Sequence, residues 1–198
     1  MLKKIHIIFF FFIFSCAPEK IKYTIHSSNS EEEKEIVQAS FDFFNQIVQC
    51  KAVALENSLD KNSKFFISNL IPEITFTNNW DDCLERNPYA IIRGCTLGLD
   101  HDIVLMREFV FYKSRTCTLE YNSYLNSDIY NCDYRIVHIM HELGHAFGLE
   151  HSGNEEDIMF HAASSFIQLR SLQRFHDQLF RFTNICKNEN LNYFVKKY

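Results

Sequence analysis

The sequence predicts a single α/β domain, because segments with strand character alternate with segments that have the spacing of amphipathic helices. Residues 21–25 alternate apolar and polar side chains, residues 31–57 repeat apolar side chains at helical spacing, and Ile103-Val104-Leu105-Met106 is a continuous apolar run. With 198 residues, 46% of them hydrophobic, the chain can bury one sizeable core. It shows no internal repeat or long linker, so one domain is the simplest division.

The first two elements are a strand and a long helix. Residues 21–25 are predicted to form a short strand. Ser30 and Glu33 have the spacing of a capping box, in which each side chain bonds the other residue's backbone N–H at a helix start. The helix is therefore predicted over residues 31–57, and its buried face would consist of Ile36, Ser40, Phe43, Phe44, Ile47, Val48 and Leu55.

Strands and loops are predicted in the middle of the chain. Residues 65–77 have strand composition interrupted by Pro72, and residues 78–100 are turn-prone. Residues 101–112 contain two apolar runs, which predict a buried strand followed by an edge strand or a bend. Residues 114–132 are rich in Tyr and Asn and are predicted to be a long polar loop.

Two further helices complete the prediction. Asp133 is a candidate N-cap for a helix over residues 134–147, whose apolar side chains Ile136, Ile139, Met140 and Leu143 would face the core. Ser164 or Ser165 would cap a final helix that ends near Asn184. Its apolar stripe would contain Phe166, Leu169, Leu172, Phe175, Leu179, Phe180 and Phe182.

Residues 141–151 read His-Glu-x-x-His-x-x-Gly-x-x-His, and each fixed position has a chemical reason. Side chains four residues apart lie on one helix face, so His141 and His145 can bind one metal ion. Glu142 is rotated by about 100° from His141, which places it outside the ligand set but near the metal. Gly148 can adopt positive φ and turn the chain back, so that His151 becomes a third ligand.

Three histidine ligands predict a catalytic zinc site rather than a structural one. A structural zinc ion uses four protein ligands, whereas a catalytic ion keeps its fourth position for water. The alternative is a helix whose histidines pack or hydrogen-bond in the core. None of the cysteines forms a C-x-x-C pair, so a separate zinc ribbon is not expected.

The extended motif resembles the metzincin zinc peptidases, and Ser152 after the third histidine resembles their matrixin branch. Met159 follows His151 by eight residues, a spacing similar to that of the matrixin Met-turn, whose methionine lies beneath the zinc ion. The resemblance covers about residues 133–160. It implies a small twisted mixed sheet, a long first helix, the zinc-site helix, a Met-turn and a C-terminal helix.

The same resemblance implies a zinc endopeptidase with one catalytic Zn²⁺ and a protein or peptide substrate. Water at the zinc ion would attack the scissile carbonyl, with Glu142 as the general base that later protonates the departing amine. A cleft-bordering strand, expected near residues 107–113, would pair with extended substrate. Substituting Glu142 by Gln should keep the metal and abolish turnover.

Several features differ from the matrixin pattern. Phe160-His161-Ala162-Ala163 occupies the place where matrixins carry the Pro and Tyr that wall the S1′ pocket. His161 is a candidate for the cleft lining, or else a surface histidine. The sequence has no cysteine-switch motif and no glycine-rich Asp/His loop for structural zinc and calcium, so one metal ion is expected. His138 shares the stripe of His141 and is predicted to be partly buried, with a role as an additional ligand as the alternative.

The N-terminus predicts export. Residues 1–15 form a basic and then apolar segment, too short to cross a bilayer and typical of a signal peptide. Ile13-Phe14-Ser15-Cys16 resembles a bacterial lipobox, which would make Cys16 the lipidated N-terminus. Ordinary cleavage nearby and an uncleaved apolar anchor are the alternatives. Residues 16–30 would then be a tether with the first strand, and residues 31–198 the catalytic domain.

Export sets the expected location, partners and cysteine state. The protein would be anchored in the bacterial cell envelope, at the outer membrane or cell surface, or secreted if the anchor is absent. A net charge of −5 without a basic patch argues against nucleic acid, and a monomer is expected. Besides Cys16 there are six cysteines, which allow fifteen sets of three disulfides. Candidate pairs are Cys83–Cys95, Cys117–Cys132 and Cys50–Cys186, and free buried cysteines are the alternative.

A second function class stays open. The chain could be a surface lipoprotein that keeps the metal site, has little or no catalytic activity, and binds a host or envelope protein. Glu142 favours the enzyme, because a binding module has no chemical use for that carboxylate.

Overall fold

A computed structural model describes residues 20–56, 72–77, 94–97, 102–106, 116–161 and 166–186. Within these residues the chain forms eight strands and three helices, in the α/β alternation that the sequence predicts. The elements are β1 (Ile21–Ile25), α1 (Glu31–Val48), β2 (Val53–Leu55), β3 (Glu73–Thr77), β4 (Gly94–Leu97), β5 (Asp102–Met106), β6 (Cys117–Asn122), β7 (Ser127–Cys132), α2 (Tyr134–Ala146), β8 (Phe166–Gln168) and α3 (Leu169–Phe182).

The larger of the two sheets has five strands of mixed direction, as predicted. Its order is β2-β1-β3-β5-β4, with every neighbouring pair parallel except β4 and β5. The inner strands are buried at Tyr23, Ile74 and Ile103, each fully shielded from solvent. The predicted strands at residues 21–25 and 103–106 are confirmed, whereas β4 lies in the segment expected to be turn-prone.

Helix α1 begins where the capping box predicts and ends earlier than expected. The Glu33 N–H donates to Ser30 Oγ at 3.2 Å, and the Ser30 N–H donates to Glu33 Oε2 at 2.6 Å. Gln49 then adopts a left-handed conformation with φ of 55°, which ends the helix. The predicted extension to residue 57 is wrong, because residues 53–55 leave the helix to pair with β1 as β2.

The sequence predicts a polar loop at residues 114–132, but the described part of that segment forms a β-hairpin over residues 117–132, so the prediction is wrong there. Strands β6 and β7 pair antiparallel from Cys117 opposite Cys132 to Asn122 opposite Ser127, and β8 pairs with β7. Most side chains of β6 are exposed on both faces, so its sequence lacks the alternation that identifies a half-buried strand. The described tip residues Tyr124 and Leu125 are likewise exposed.

The last two helices cover the core. Asp133 caps α2, because its Oδ1 accepts the Arg135 N–H at 2.9 Å, as predicted. Helix α3 begins only at Leu169, since residues 166–168 form β8, and it ends at Phe182 rather than Asn184. Its N-cap, Gln168, makes no side-chain cap bond; the two serines predicted as caps, Ser164 and Ser165, lie outside the described residues. Leu172, Phe175 and Leu179 are buried as expected, whereas Leu169 and Phe182 are exposed.

Aromatic contacts join the three helices around α2. The rings of Phe44 on α1 and Phe147 at the end of α2 stack with their centroids 5.7 Å apart, and Phe175 of α3 meets Phe44 edge-on at 6.0 Å. The predicted core residues of α2, which are Ile136, Ile139, Met140 and Leu143, are all buried. This packing fixes α2 relative to α1 and α3. None of the helices in the described ranges is long and apolar enough to cross a membrane.

Two disulfides tie these elements together. Cys50, after α1, is bonded to Cys186, after α3, and Cys117 is bonded to Cys132 across the hairpin. Both pairs are among those considered from the sequence. Cys95 is also disulfide-bonded, and Cys83 lies outside the described residues.

Candidate metal centre and active site

Helix α2 brings two of the predicted ligands together on one face. His141 and His145 are one helical turn apart, and their Nε2 atoms are 3.1 Å from each other. This short distance shows that both rings point to the same side of the helix, where His141 is buried and His145 is half-buried.

The end of α2 brings in the third imidazole. Gly148 has φ of 95°, its N–H donates to His145 O at 2.8 Å, and the Leu149 N–H donates to Gly144 O at 2.9 Å. These two bonds form a Schellman motif, in which a left-handed glycine ends the helix and reverses the chain. The Nε2 atom of His151 then lies 3.1 Å from that of His145. In the described part of the chain, these three histidines form the group able to hold a metal ion.

Backbone carbonyls orient two of the rings. Ile158 O lies 2.7 Å from His141 Nδ1, and Leu149 O lies 2.8 Å from His145 Nδ1. Because a carbonyl only accepts hydrogen bonds, each Nδ1 carries the proton, and the Nε2 of a neutral ring carries a lone pair. Two lone pairs that face each other at 3.1 Å repel, and a cation bound between them removes that repulsion. Tetrahedral zinc with bonds of about 2.0–2.1 Å places its ligand nitrogens about 3.3 Å apart, so the group fits Zn²⁺.

The surroundings keep the imidazoles neutral, which is the form that binds metal. The pKa of His141 is lowered to about 4, chiefly by burial, with a smaller contribution from the neighbouring imidazoles and an opposing one from the Ile158 hydrogen bond. Burial, and then the charge of His151, also lowers the pKa of His145. The pKa of His151 is lowered by burial and then by His161. Neutral rings at pH 7 release no proton when they bind a metal ion.

Glu142 is buried beside the group and is held by a residue from the edge strand. The Thr96 hydroxyl on β4 lies 2.8 Å from Glu142 Oε2 and 3.0 Å from the Glu142 backbone oxygen. Burial raises the pKa of Glu142 to about 7, and the Thr96 hydrogen bond opposes that rise. A carboxylate with such a pKa can both take and return a proton near neutrality. The sequence did not point to Thr96, because a single Thr in a segment expected to be turn-prone carries no motif.

Met159 packs beneath α2 at the level of the histidines. It is buried, and a Cβ built on Gly144 would overlap the Met159 sulfur and lie 3.1 Å from its methyl carbon. The same Cβ would lie 3.2 Å from the ring of Phe175. Gly144 is an unspecified position of the histidine motif, and a side chain there would fit only if Met159 moved away.

We therefore expect Gly144→Ala to destabilise the protein. Overpacking a core costs about 1–3 kcal/mol, and replacing a helical glycine by alanine returns at most about 1 kcal/mol, so a net loss of up to about 2 kcal/mol is expected. Gly153→Ala is the matched control, because nothing lies within 4 Å of a Cβ built there. Urea unfolding of both variants measures the difference, and equal free energies of unfolding would contradict this packing.

The other predicted site residues lie around the group or outside the described residues. The His138 ring is half-buried and meets the ring of Tyr134 edge-on at 3.9 Å, and it is not in the three-histidine group. His161 is exposed, packs against Phe160 at 4.1 Å, and is close enough for its charge to lower the pKa of His151. Cys16, Ala162, Ala163 and residues 107–113 lie outside the described residues. Among the described strands, the one beside Glu142 at the sheet edge is β4.

Comparison with known proteins finds a family model that matches the segment carrying the histidine group. The family model described as Matrixin matches residues 120–174, less than half of the chain, and this segment contains the three histidines and Met159. No match was found among curated protein sequences. Among solved structures, the chain is similar to archaemetzincin from Methanopyrus kandleri, with 14% identity, a TM-score of 0.47, and coverage of 82% of this chain and 95% of that chain.

Proposed function

We propose that this protein is a zinc-dependent endopeptidase of the matrixin-like branch that cleaves extracytoplasmic proteins. The observation that carries the proposal is the convergence of three imidazole Nε2 atoms beside a buried carboxylate, Glu142. In this proposal His141, His145 and His151 hold one zinc ion, and Met159 forms the floor of the site. Zinc, when bound, polarises the scissile carbonyl and acidifies water.

Glu142 is the general base. Its buried carboxylate takes a proton from the attacking water and then delivers it to the amine of the departing product. Thr96 holds one carboxylate oxygen, Oε2, at 2.8 Å, which leaves the other oxygen for the proton transfer. Burial raises the pKa of Glu142 to about 7, which makes it a stronger base towards the attacking water than a free carboxylate, and it is still acidic enough to return the proton to the amine.

The substrate is proposed to bind as an additional strand. Strand β4 is antiparallel to β5 and is one of the two edge strands among the described strands of its sheet, the one next to the glutamate. An extended peptide paired with this edge would place its backbone carbonyls along the site through main-chain hydrogen bonds. Such pairing gives affinity for extended segments of many sequences, as an endopeptidase requires.

The proposed location follows from the N-terminal sequence. Residues 1–15 would be a signal peptide and Cys16 the lipidated residue, which would anchor the domain in the bacterial cell envelope. The two disulfides support an oxidising compartment. Metabolic labelling with a radioactive fatty acid tests the anchor: the wild-type chain should be labelled and Cys16→Ala should not.

Cleavage of casein or gelatin by the purified mature chain tests the activity. We expect cleavage that is lost with a chelator and restored by zinc. A chain that binds zinc but cleaves no protein would instead favour the second function, a surface protein that binds a host or envelope partner.

We expect Thr96→Val to slow hydrolysis without removing the metal site. Thr96 orients the Glu142 carboxylate, and a misplacement of about 1 Å at a reacting group can cost on the order of 10²-fold in rate, so kcat should fall about tenfold or more. Because the Thr96 hydroxyl lowers the pKa of Glu142, its removal raises that pKa, and the acidic limb of the pH–rate profile should move to higher pH. Thr96→Ser, which keeps the hydroxyl, should retain the wild-type profile. An unchanged kcat and pH profile for Thr96→Val would contradict this role.

A further inference from the structure

The third imidazole lacks the hydrogen bond that orients the other two. Carbonyl oxygens fix the rings of His141 and His145 through Nδ1, whereas in the described part of the chain no protein group bonds Nδ1 of His151. His151 is also exposed, while the other two are not. The direction of its ring therefore depends on the backbone of the loop that carries it.

One buried carboxylate holds that loop. The Ser152 hydroxyl, next to His151, donates to Asp157 Oδ2 at 2.7 Å. The Ser152 N–H donates to the Met159 carbonyl at 2.8 Å, which closes the loop on itself. The Asp157 side chain is only 6% exposed, so its charge is stabilised by the partners around it.

Helix α3 supplies the counter-charge. Arg174 Nε is ion-paired with Asp157 Oδ1, the carboxylate oxygen that Ser152 leaves free. The neighbouring Glu156 carboxylate contacts Arg170 and Arg174, and its backbone oxygen accepts the Ser171 hydroxyl. The side chains of Arg170 and Glu156 are largely exposed, which makes their pair weaker than the buried one.

We infer that Asp157, bridging Ser152 and Arg174, is a positioning residue for the third zinc ligand, His151. The inference rests on the proposed zinc site and extends it to the C-terminal helix. No hydrogen bond orients the His151 ring directly. The Asp157 carboxylate orients it indirectly, because it holds Ser152 and so fixes the backbone on the C-terminal side of His151. Partners that orient metal ligands from outside the ligand set change metal affinity by about 10–100-fold.

Zinc affinity and the spectrum of the cobalt-loaded protein test this inference in the full mature chain. Competition with a chromophoric chelator gives the affinity for Zn²⁺, and visible absorption of the Co²⁺-loaded chain reports the coordination number. Asp157→Asn and Arg174→Gln are expected to weaken zinc binding about tenfold. The strong absorption of a four-coordinate cobalt site should fall as His151 is replaced by water. Arg174→Lys, which keeps the charge, should recover part of the affinity.

Arg170→Gln is the matched control, because it removes an arginine from the same helix without touching Asp157. Its zinc affinity and cobalt spectrum should equal those of the wild type. If Asp157→Asn and Arg174→Gln fail to fold, Ser152→Ala decides, since it removes one neutral hydrogen bond and leaves the ion pair intact. A few-fold weaker zinc affinity is expected for it.

Wild-type zinc affinity and an unchanged cobalt spectrum in the folded variants would overturn the inference and leave the proposed peptidase activity standing. A chain that shows the expected changes in zinc affinity but cleaves no protein would remove the activity and leave the inference standing. A wild-type chain that binds no zinc would overturn both.

Discussion

Glu142→Gln is expected to lower kcat by about 10²–10⁴-fold, the range that general acid–base catalysis contributes, while the chain still binds zinc. Glutamine has nearly the same shape and can still accept the Thr96 hydrogen bond, but it cannot take a proton from water. Because the buried pocket gives the Glu142 carboxyl a pKa of about 7, the neutral amide should fit without loss of stability. Casein cleavage, zinc content and thermal unfolding measure the three expectations.

Glu150→Gln is the matched control for that substitution. Glu150 lies next to the third histidine but is exposed, so its neutral variant should cleave casein at the wild-type rate. Turnover by Glu142→Gln at an undiminished rate would show that another group activates the water.

His145→Ala is expected to weaken zinc binding by at least about a hundredfold, since losing a ligand costs no less than losing a partner that only orients one. His145 is the central member of the group, because its Nε2 lies 3.1 Å from the Nε2 of both other histidines. Without His145, the Nε2 atoms of His141 and His151 are the two remaining imidazole ligands. Chelator competition measures the loss, and casein cleavage should disappear with it.

His138→Gln distinguishes this ligand set from one that includes the preceding histidine of α2. His138 packs against Tyr134 and is not part of the group, so its substitution should leave zinc affinity within about twofold of the wild type. A loss as large as that of His145→Ala would mean that the ligand set is wrong.

The elements that local chemistry determines were predictable from the sequence. The capping box at Ser30 and Glu33, the cap at Asp133 and the left-handed glycine Gly148 all act over six residues or fewer, and all occur as expected. The end of α1 was not predictable, because apolar residues after Val48 continue the helical spacing. There the pairing of β2 with β1 overrides the helical pattern.

In the candidate site, too, the features set by local sequence were predictable and those set by tertiary contacts were not. The spacing of its three histidines is a property of one helix and one turn, so the sequence brings them together correctly. Thr96, 46 residues before Glu142, and Arg174, 17 residues after Asp157, reach the site only through tertiary packing. No local pattern marks these residues. The β6–β7 hairpin was missed for another reason, since an exposed strand needs no apolar alternation.

X-ray absorption spectroscopy at the zinc edge of the zinc-loaded chain tests the central claim most directly. We expect one zinc ion per chain, with three imidazole nitrogens and one oxygen at about 2.0–2.1 Å. The same spectrum of His145→Ala should lose an imidazole contribution. A wild-type spectrum with four protein ligands, with sulfur ligands, or without bound zinc would contradict the account.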